Sequence, residues 1–424
     1  MSQRKRLACG VIAILFAGSV INYIDRAVLG VVMPQIRGDL GLSNTDYGFA
    51  VNAFLLTYMV SYIGGGRIAD RFGVRRAFLW VTIIWSFASV SHALTRGLAS
   101  LCFFRALLGL GEGGFYPTAM RGAAELFAPK DRAKAVGVLL AGISVGALVT
   151  PPLVATIAAR YGWRSSFLLT GLLGFLIIPF WIFIQRRLEP AVSAASGSDE
   201  NPTETDLSVK EVLRRRKYWF FLLARALSDI AWYFFIFWLP GYFQVVRHFD
   251  LAMIAGFLWI PYLCADLGAI AGAWGSSALI GRGLSVDAAR RGALIFSALL
   301  GSFGAGAYYA PTWSVSLALV GIALFGHFSM AANLHTVITE ITPARHVAVL
   351  YGVTGAAGTL LAAISQPVVG RLVDIAGYEI PFVVGGGCYL LAILLMLGAG
   401  KIERLTRSNA AGDRLATINA DAGL

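Results

Sequence analysis

The chain has 424 residues, 57% of them hydrophobic and 14% charged, and a mean hydropathy of +0.71. Soluble domains carry about 25% charged residues, so this composition excludes a soluble or disordered protein and predicts an integral membrane one. The formal charge of +12 does not indicate nucleic acid, because the basic residues sort by side of the membrane.

A helix needs roughly 20 apolar residues to cross a bilayer. Twelve such stretches lie near residues 8–34, 47–67, 77–95, 98–120, 133–158, 164–185, 218–245, 251–275, 291–309, 313–339, 346–371 and 380–400. The ten-residue alternating segments of an outer-membrane barrel are absent. The fold class expected is all-α and polytopic, with twelve transmembrane helices in two six-helix bundles. The expected domains are 1–185, a linker 186–217, 218–400 and a tail 401–424. With the N-terminus inside, 25 Lys and Arg fall on one side and 6 on the other. The positive-inside rule then puts both termini in the cytoplasm, in a cell (inner) membrane. The basic start Arg4-Lys5-Arg6 leads an apolar run too long for a signal peptide, so a retained first helix is expected.

Asp25 and Arg26 are the only charges between Leu7 and Pro34. An ionisable group at membrane depth costs about 2.5–3.5 kcal/mol on insertion scales, so partners or a wet cavity are required. The turn Gly38-Asp39-Leu40-Gly41-Leu42 follows, with Ser43 or Asn44 as the N-cap of the next helix. That helix ends in Gly66-Arg67-Ile68-Ala69-Asp70-Arg71-Phe72-Gly73-Val74-Arg75-Arg76. Glycines suit a tight reversal there. Asp70 facing Arg71, Arg75 and Arg76 could form a latch on the cytoplasmic side, or the segment is an ordinary positive-inside loop.

This stretch resembles the loop signature of the major facilitator superfamily: Gly, three residues, Asp-Arg, one residue, Gly, then basic residues. The resemblance implies the two-bundle fold.

The fourth span carries Arg105 and Glu112, seven residues apart and therefore on one helix face about 10 Å apart. Gly109, Gly111, Gly113 and Gly114 allow close approach of another helix, and Pro117 can bend the span. Either these charges form a self-satisfied interhelical pair, or they share a polar cavity with Asp25 and Arg26; the second reading is preferred. Downstream, Gly137, Pro152, Gly162, Phe167 and Gly171 recur as Gly352, Pro367, Gly377, Phe382 and Gly386, each offset by 215 positions. A tandem repeat places a transporter's site between its halves near the midplane.

The linker is polar, and Leu207 to Arg216 could form a short amphipathic surface helix. In the seventh span Arg225 and Asp229 stand at i and i+4, able to neutralise each other or to serve gating or substrate. Its aromatics, Trp232-Tyr233-Phe234 and Trp238, could line a pocket. In the tenth, His327 and Asn333 offer polar groups at membrane depth. The loop Gly281-Arg282-Gly283-Leu284-Ser285 corresponds to the first half's signature without its acid, which predicts an asymmetric latch. Cys9, Cys102, Cys264 and Cys388 show no metal or redox spacing, and no P-loop appears. No metal, cofactor or enzymatic constellation is expected.

A carboxylate enclosed at membrane depth is costly to ionise and so can carry a proton, while a nearby Arg opposes this. Arg also suits recognition of a carboxylate ligand. Two Arg and two acids in the first half thus read as proton-coupled transport of an organic anion. Tyr23-Ile24-Asp25-Arg26, Arg105 to Glu112 and Phe127 to Ala133 resemble the anion:cation symporter family of the superfamily. That resemblance implies Asp25 and Glu112 as protonation sites, Arg26 and Arg105 serving the anion and its coupling, and Tyr58 facing substrate. The run from Asp229 to Pro240 and the segment Gly326-His327 to Leu334 are similar to the hexuronate and sugar-acid branch, although Ile230 stands where that branch has Pro. The expected partners are a small organic anion, protons and the lipid bilayer, with the protein a monomer. Another carboxylate, aromatic or small aliphatic, is the alternative ligand. A proton-driven exporter of cations fits less well, since Arg26 and Arg105 would repel its cargo.

Overall fold

A computed structural model describes residues 3–126, 129–188, 208–342, 346–403 and 405. The helices are α1 (Gln3–Leu40), α2 (Asn44–Ser91), α3 (Leu98–Gly113), α4 (Phe115–Leu126), α5 (Pro129–Tyr161), α6 (Trp163–Leu188), α7 (Val209–Leu213), α8 (Arg216–Val245), α9 (Leu251–Phe257), α10 (Ile260–Gly281), α11 (Val286–Ser302), α12 (Trp313–Ile341), α13 (Val347–Ala376) and α14 (Glu379–Gly398). Among the described residues, eleven helical stretches are long and apolar enough to cross a membrane. The expected span at 291–309 is met by α11, 17 residues long, continued by the 3-10 turn Phe303–Ala307.

Local chemistry sets the boundaries. Ser43 caps α2 with Asp46 in a reciprocal capping box, which satisfies first-turn N–H groups. Within α2 the spans Asn44–Ala69 and Arg71–Leu94 join at Gly73, whose φ of 78° is open to glycine. The fourth span breaks at Gly114, between α3 and α4. Pro117, three residues on, has no N–H to give the Gly113 carbonyl. A Cβ on Gly111 would collide with Trp85, and one on Gly113 with the Tyr58 carbonyl. These glycines therefore let α3 lie against both spans of α2.

The 215-residue repeat is structural. Gly162 and Gly377 both end their helices with positive φ, 79° and 70°. Phe167 and Phe382 are both buried, and Pro152 and Pro367 both lie inside their helices. Gly73 and Gly283 likewise both take positive φ in the corresponding loops.

The two halves meet most closely at the end of the bundle away from the termini. The Asp374 carboxylate accepts from the backbone N–H groups of Asn44 (3.0 Å) and Thr45 (2.8 Å) and from both side chains. A carboxylate of the second half thus caps α2 of the first. Alongside, a Cβ at Gly48 would strike Gln366 and Pro367, and one at Gly370 would strike Asn44. Tyr47 donates to the Phe237 carbonyl at 2.7 Å, Asn52 to that of Ala363 at 2.8 Å, and Gln244 to that of Val31 at 2.9 Å. These side-chain bonds and close backbone contacts seal one end.

The linker's described part includes α7, which packs on the second half. Val212 of α7 is buried with Tyr218, Leu222, Leu350 and Leu405, which pins the helix to the second half. The start of the expected tail is also held: Ile402 N–H donates to Asp287 and Leu405 N–H to the Ile341 carbonyl.

Candidate functional site

The four charges of the first half come together in one buried cluster, and among the described residues only Arg26 and Glu112 of the four make an ion pair. Successive helical residues point about 100° apart, so Asp25 and Arg26 take separate partners. Asp25 Oδ1 accepts from Ser89 at 2.7 Å, and its Oδ2 has no hydrogen-bond partner. Arg26 donates Nε to Glu112 Oε2 at 3.1 Å and Nη2 to Asn22 at 3.2 Å. Its guanidinium lies 4.5 Å from the centre of the Tyr58 ring. Glu112 Oε1 is buried without a partner.

Arg105 is fixed by a residue that composition did not single out. Its Nε, necessarily a donor, reaches His92 Nε2 at 3.1 Å, so His92 donates from Nδ1 to the Ala88 carbonyl at 2.7 Å. Only a neutral imidazole makes both bonds. The His92 ring stacks on Phe167 at 4.8 Å, and Arg105 Nη1 reaches the Arg26 carbonyl at 3.4 Å. Asp25, Arg105 and Glu112 are 0% exposed, and the Arg26 side chain is 12% exposed. The cluster is therefore sealed, with Arg26 at its outer edge.

The open space lies elsewhere. A cavity of about 250 Å³ sits on the terminus side of the seal, lined from α2 by Tyr58, Met59 and Tyr62 and otherwise by the second half. Its polar wall consists of Arg225, Asp229, Tyr233, His327, His335, Tyr351 and Thr359. The expectation that Asp25, Arg26, Arg105 and Glu112 line one cavity is met only as a buried cluster behind Tyr58. Burial of three of the four charges is the physical reason.

Arg225 and Asp229 do pair, Nε to Oδ2 at 3.6 Å. Gly358 makes room for the Asp229 carboxylate, which a Cβ there would strike. Trp232 stacks on His327 at 5.5 Å, and His327 Nδ1 lies 3.0 Å from the Tyr389 hydroxyl. Tyr23 is buried with Ala27, Ala147 and Tyr262 in a contact between the halves, and its hydroxyl has no partner. Asn333 does not line this cavity: its Nδ2 donates to the Gly272 and Ser329 carbonyls, both at 3.0 Å, tying α12 to α10. A buried amide on a close helix contact satisfies backbone carbonyls first.

Of the loop residues, Gly73 makes the turn, while Gly66 meets open space. Arg71 lies over Phe72 at 5.5 Å, the Arg75 carbonyl accepts from Trp181, and Arg76 is exposed. The Asp70 side chain lies outside the described residues, as does most of the Phe127–Ala133 turn. In the second half, Arg290 donates to Glu340 at 3.0 Å and to Ser276 at 2.6 Å. There the acid comes from α12 and the serine from α10.

Sequence reasoning missed His92, Tyr62, His335, Tyr351 and Thr359. His335 Nδ1 lies 3.2 Å from the Tyr351 hydroxyl. The available signal was positional: polar or aromatic residues inside small-residue runs of α12 and α13.

Two tandem six-helix units around a polar cavity, within a chain this apolar, define a membrane transporter. The family model described as Major Facilitator Superfamily matches residues 15–360, and the chain belongs to that superfamily. It is 28% identical over 414 residues to the hexuronate transporter of Escherichia coli (strain K12), with 94% of each chain covered. It is 28% identical to the D-galactonate transporter of Escherichia coli O6:H1, covering 93% of this chain and 96% of that one. The fold matches a bacterial homolog of the human lysosomal transporter Spinster, solved inward-facing and occupied, with a TM-score of 0.77 at 19% identity. That match covers 94% of this chain and 97% of the other.

Proposed function

We propose that the protein is a proton-coupled symporter that imports an organic anion, a sugar acid such as a hexuronate or aldonate, by alternating access. The observation that carries this is the Arg26–Glu112 pair behind Tyr58, 3.1 Å apart with the second Glu112 oxygen unpartnered. While Glu112 is ionised it occupies Arg26. A proton on Glu112 removes that negative charge and leaves the Arg26 guanidinium uncompensated behind Tyr58, which raises the positive potential that an anion in the cavity meets. A substrate anion and a proton then favour each other's binding, as symport requires. Asp25, with one free oxygen, serves as the second proton site, and Arg105 holds the potential of both acids.

The sugar-acid assignment draws on the two relatives named above and on the cavity. At about 250 Å³ it falls below the roughly 300–1,000 Å³ of drug-sized sites. Tyr, Trp and His side chains suit a polyhydroxylated ligand with one apolar face. If the termini are cytoplasmic, as the charge asymmetry indicates, the seal lies on the outer side and this conformation releases substrate inward. The test is uptake of labelled D-glucuronate or D-galactonate by liposomes holding the purified protein under an inward proton gradient. Failure of a broad organic-anion panel to accumulate would sink the reading.

A further inference from the structure

We infer that Arg225 captures the substrate's carboxylate and that Asp229 is the counterion which the substrate displaces. The inference rests on the organic-anion reading and deepens it. Three arginines stand in or beside the site, and only Arg225 lines the cavity. Arg105 is enclosed and bonded to His92 and the Arg26 carbonyl. Arg26 is held by Glu112 and Asn22 under the Tyr58 ring, and it is absent from the cavity wall. Arg225 lines the cavity, yet its Nε and Nη1 are buried with no hydrogen-bond partner. Its ion-pair partner stands 3.6 Å from Nε, beyond hydrogen-bond reach.

Two buried guanidinium nitrogens without partners cost free energy that a ligand oxygen can recover. Asp229 neutralises the charge at a distance without satisfying the donors, and Gly358 lets it sit there. An incoming carboxylate, free to approach at about 2.8 Å, makes the stronger charge-assisted bonds. Around it, Thr359, Tyr62, His335 and Tyr351 offer partners for hydroxyl groups, and Trp232 offers a flat apolar face. This places the carboxylate in the second half, across the cavity from Arg26. Capture of the anion and relay of the proton then belong to different halves.

The experiment measures binding of D-glucuronate and of its neutral isostere D-glucuronamide to the detergent-purified full chain, by calorimetry. Wild type should prefer the acid strongly. Arg225→Gln should lower acid affinity about 30-fold or more, the loss expected when one side of a buried charge contact is truncated, and should erase the preference over the amide. That loss should exceed the one in Arg26→Gln by at least tenfold. Asp229→Asn, nearly isosteric, should tighten glucuronate binding by removing the competing carboxylate; a merely structural residue would not do so. Retained acid preference in a folded Arg225→Gln protein, or unchanged or weaker binding in Asp229→Asn, would overturn the inference and leave the symporter reading standing. A wild type that binds no member of a carboxylate panel would overturn both.

Discussion

The charged residues of the two halves are built to opposite plans. In the first half, Asp25, Arg26, Arg105 and Glu112 are packed with Ser89, Asn22 and His92 into a cluster that the cavity reaches only past Tyr58. In the second, Arg225 and Asp229 stand on the cavity wall at 3.6 Å, with two guanidinium nitrogens lacking hydrogen-bond partners. A sealed cluster senses the presence of a proton through charge balance in a low-dielectric site. An under-bonded cation on a cavity wall senses a ligand. We read the contrast as coupling in the first half and capture in the second.

The largest effect expected is on the sealed side. Arg105→Ala removes the cation between two buried acids and should cost roughly 3–5 kcal/mol, as breaking a buried charge network does. Thermal unfolding of purified variants checks this, and Arg225→Ala should lower the midpoint much less because water enters the cavity. Equal losses would erase the contrast. Gly358→Ala comes next: its methyl group must push Asp229 aside, at about 1–3 kcal/mol for overpacking. The same variant should shift glucuronate affinity while leaving uptake coupled to protons.

Asp374→Asn probes the seal, which both plans presuppose. Losing one exposed charge at a helix start should cost on the order of 1 kcal/mol, enough to populate a form open at the sealed end. Spin labels at Gly38 and Ile375, exposed on opposite halves, should then show a longer distance component. Asn333→Ala should be the mildest, about 0.6 kcal/mol for an interhelical bond in a membrane, with glucuronate binding within twofold of wild type. A large loss of binding there would return Asn333 to the site.

Much of this was legible in the chain itself. Hydropathy marks the spans, and the 215-residue offset marks the repeat because Gly162 and Gly377 need the same positive φ. Asp25, Arg26, Arg105 and Glu112 stood out because charge at membrane depth demands partners. Their separation from the cavity did not, since it depends on Tyr58 packing over Arg26. His92 was silent because a histidine near a helix end carries no spacing signal until Arg105 is folded against it. Asp374 was silent for a similar reason: its partners, Asn44 and Thr45, lie some 330 positions away. The cavity wall from α12 and α13 is likewise a long-range product of packing between helices.

Gradient-driven accumulation by Glu112→Gln tests the central claim most directly. Proteoliposomes with an inward proton gradient and labelled D-glucuronate are compared for wild type and variant, alongside exchange of preloaded label without a gradient. Loss of accumulation with exchange retained is the predicted result, since the amide keeps the shape and removes the proton carrier. Full accumulation in the variant would contradict the account.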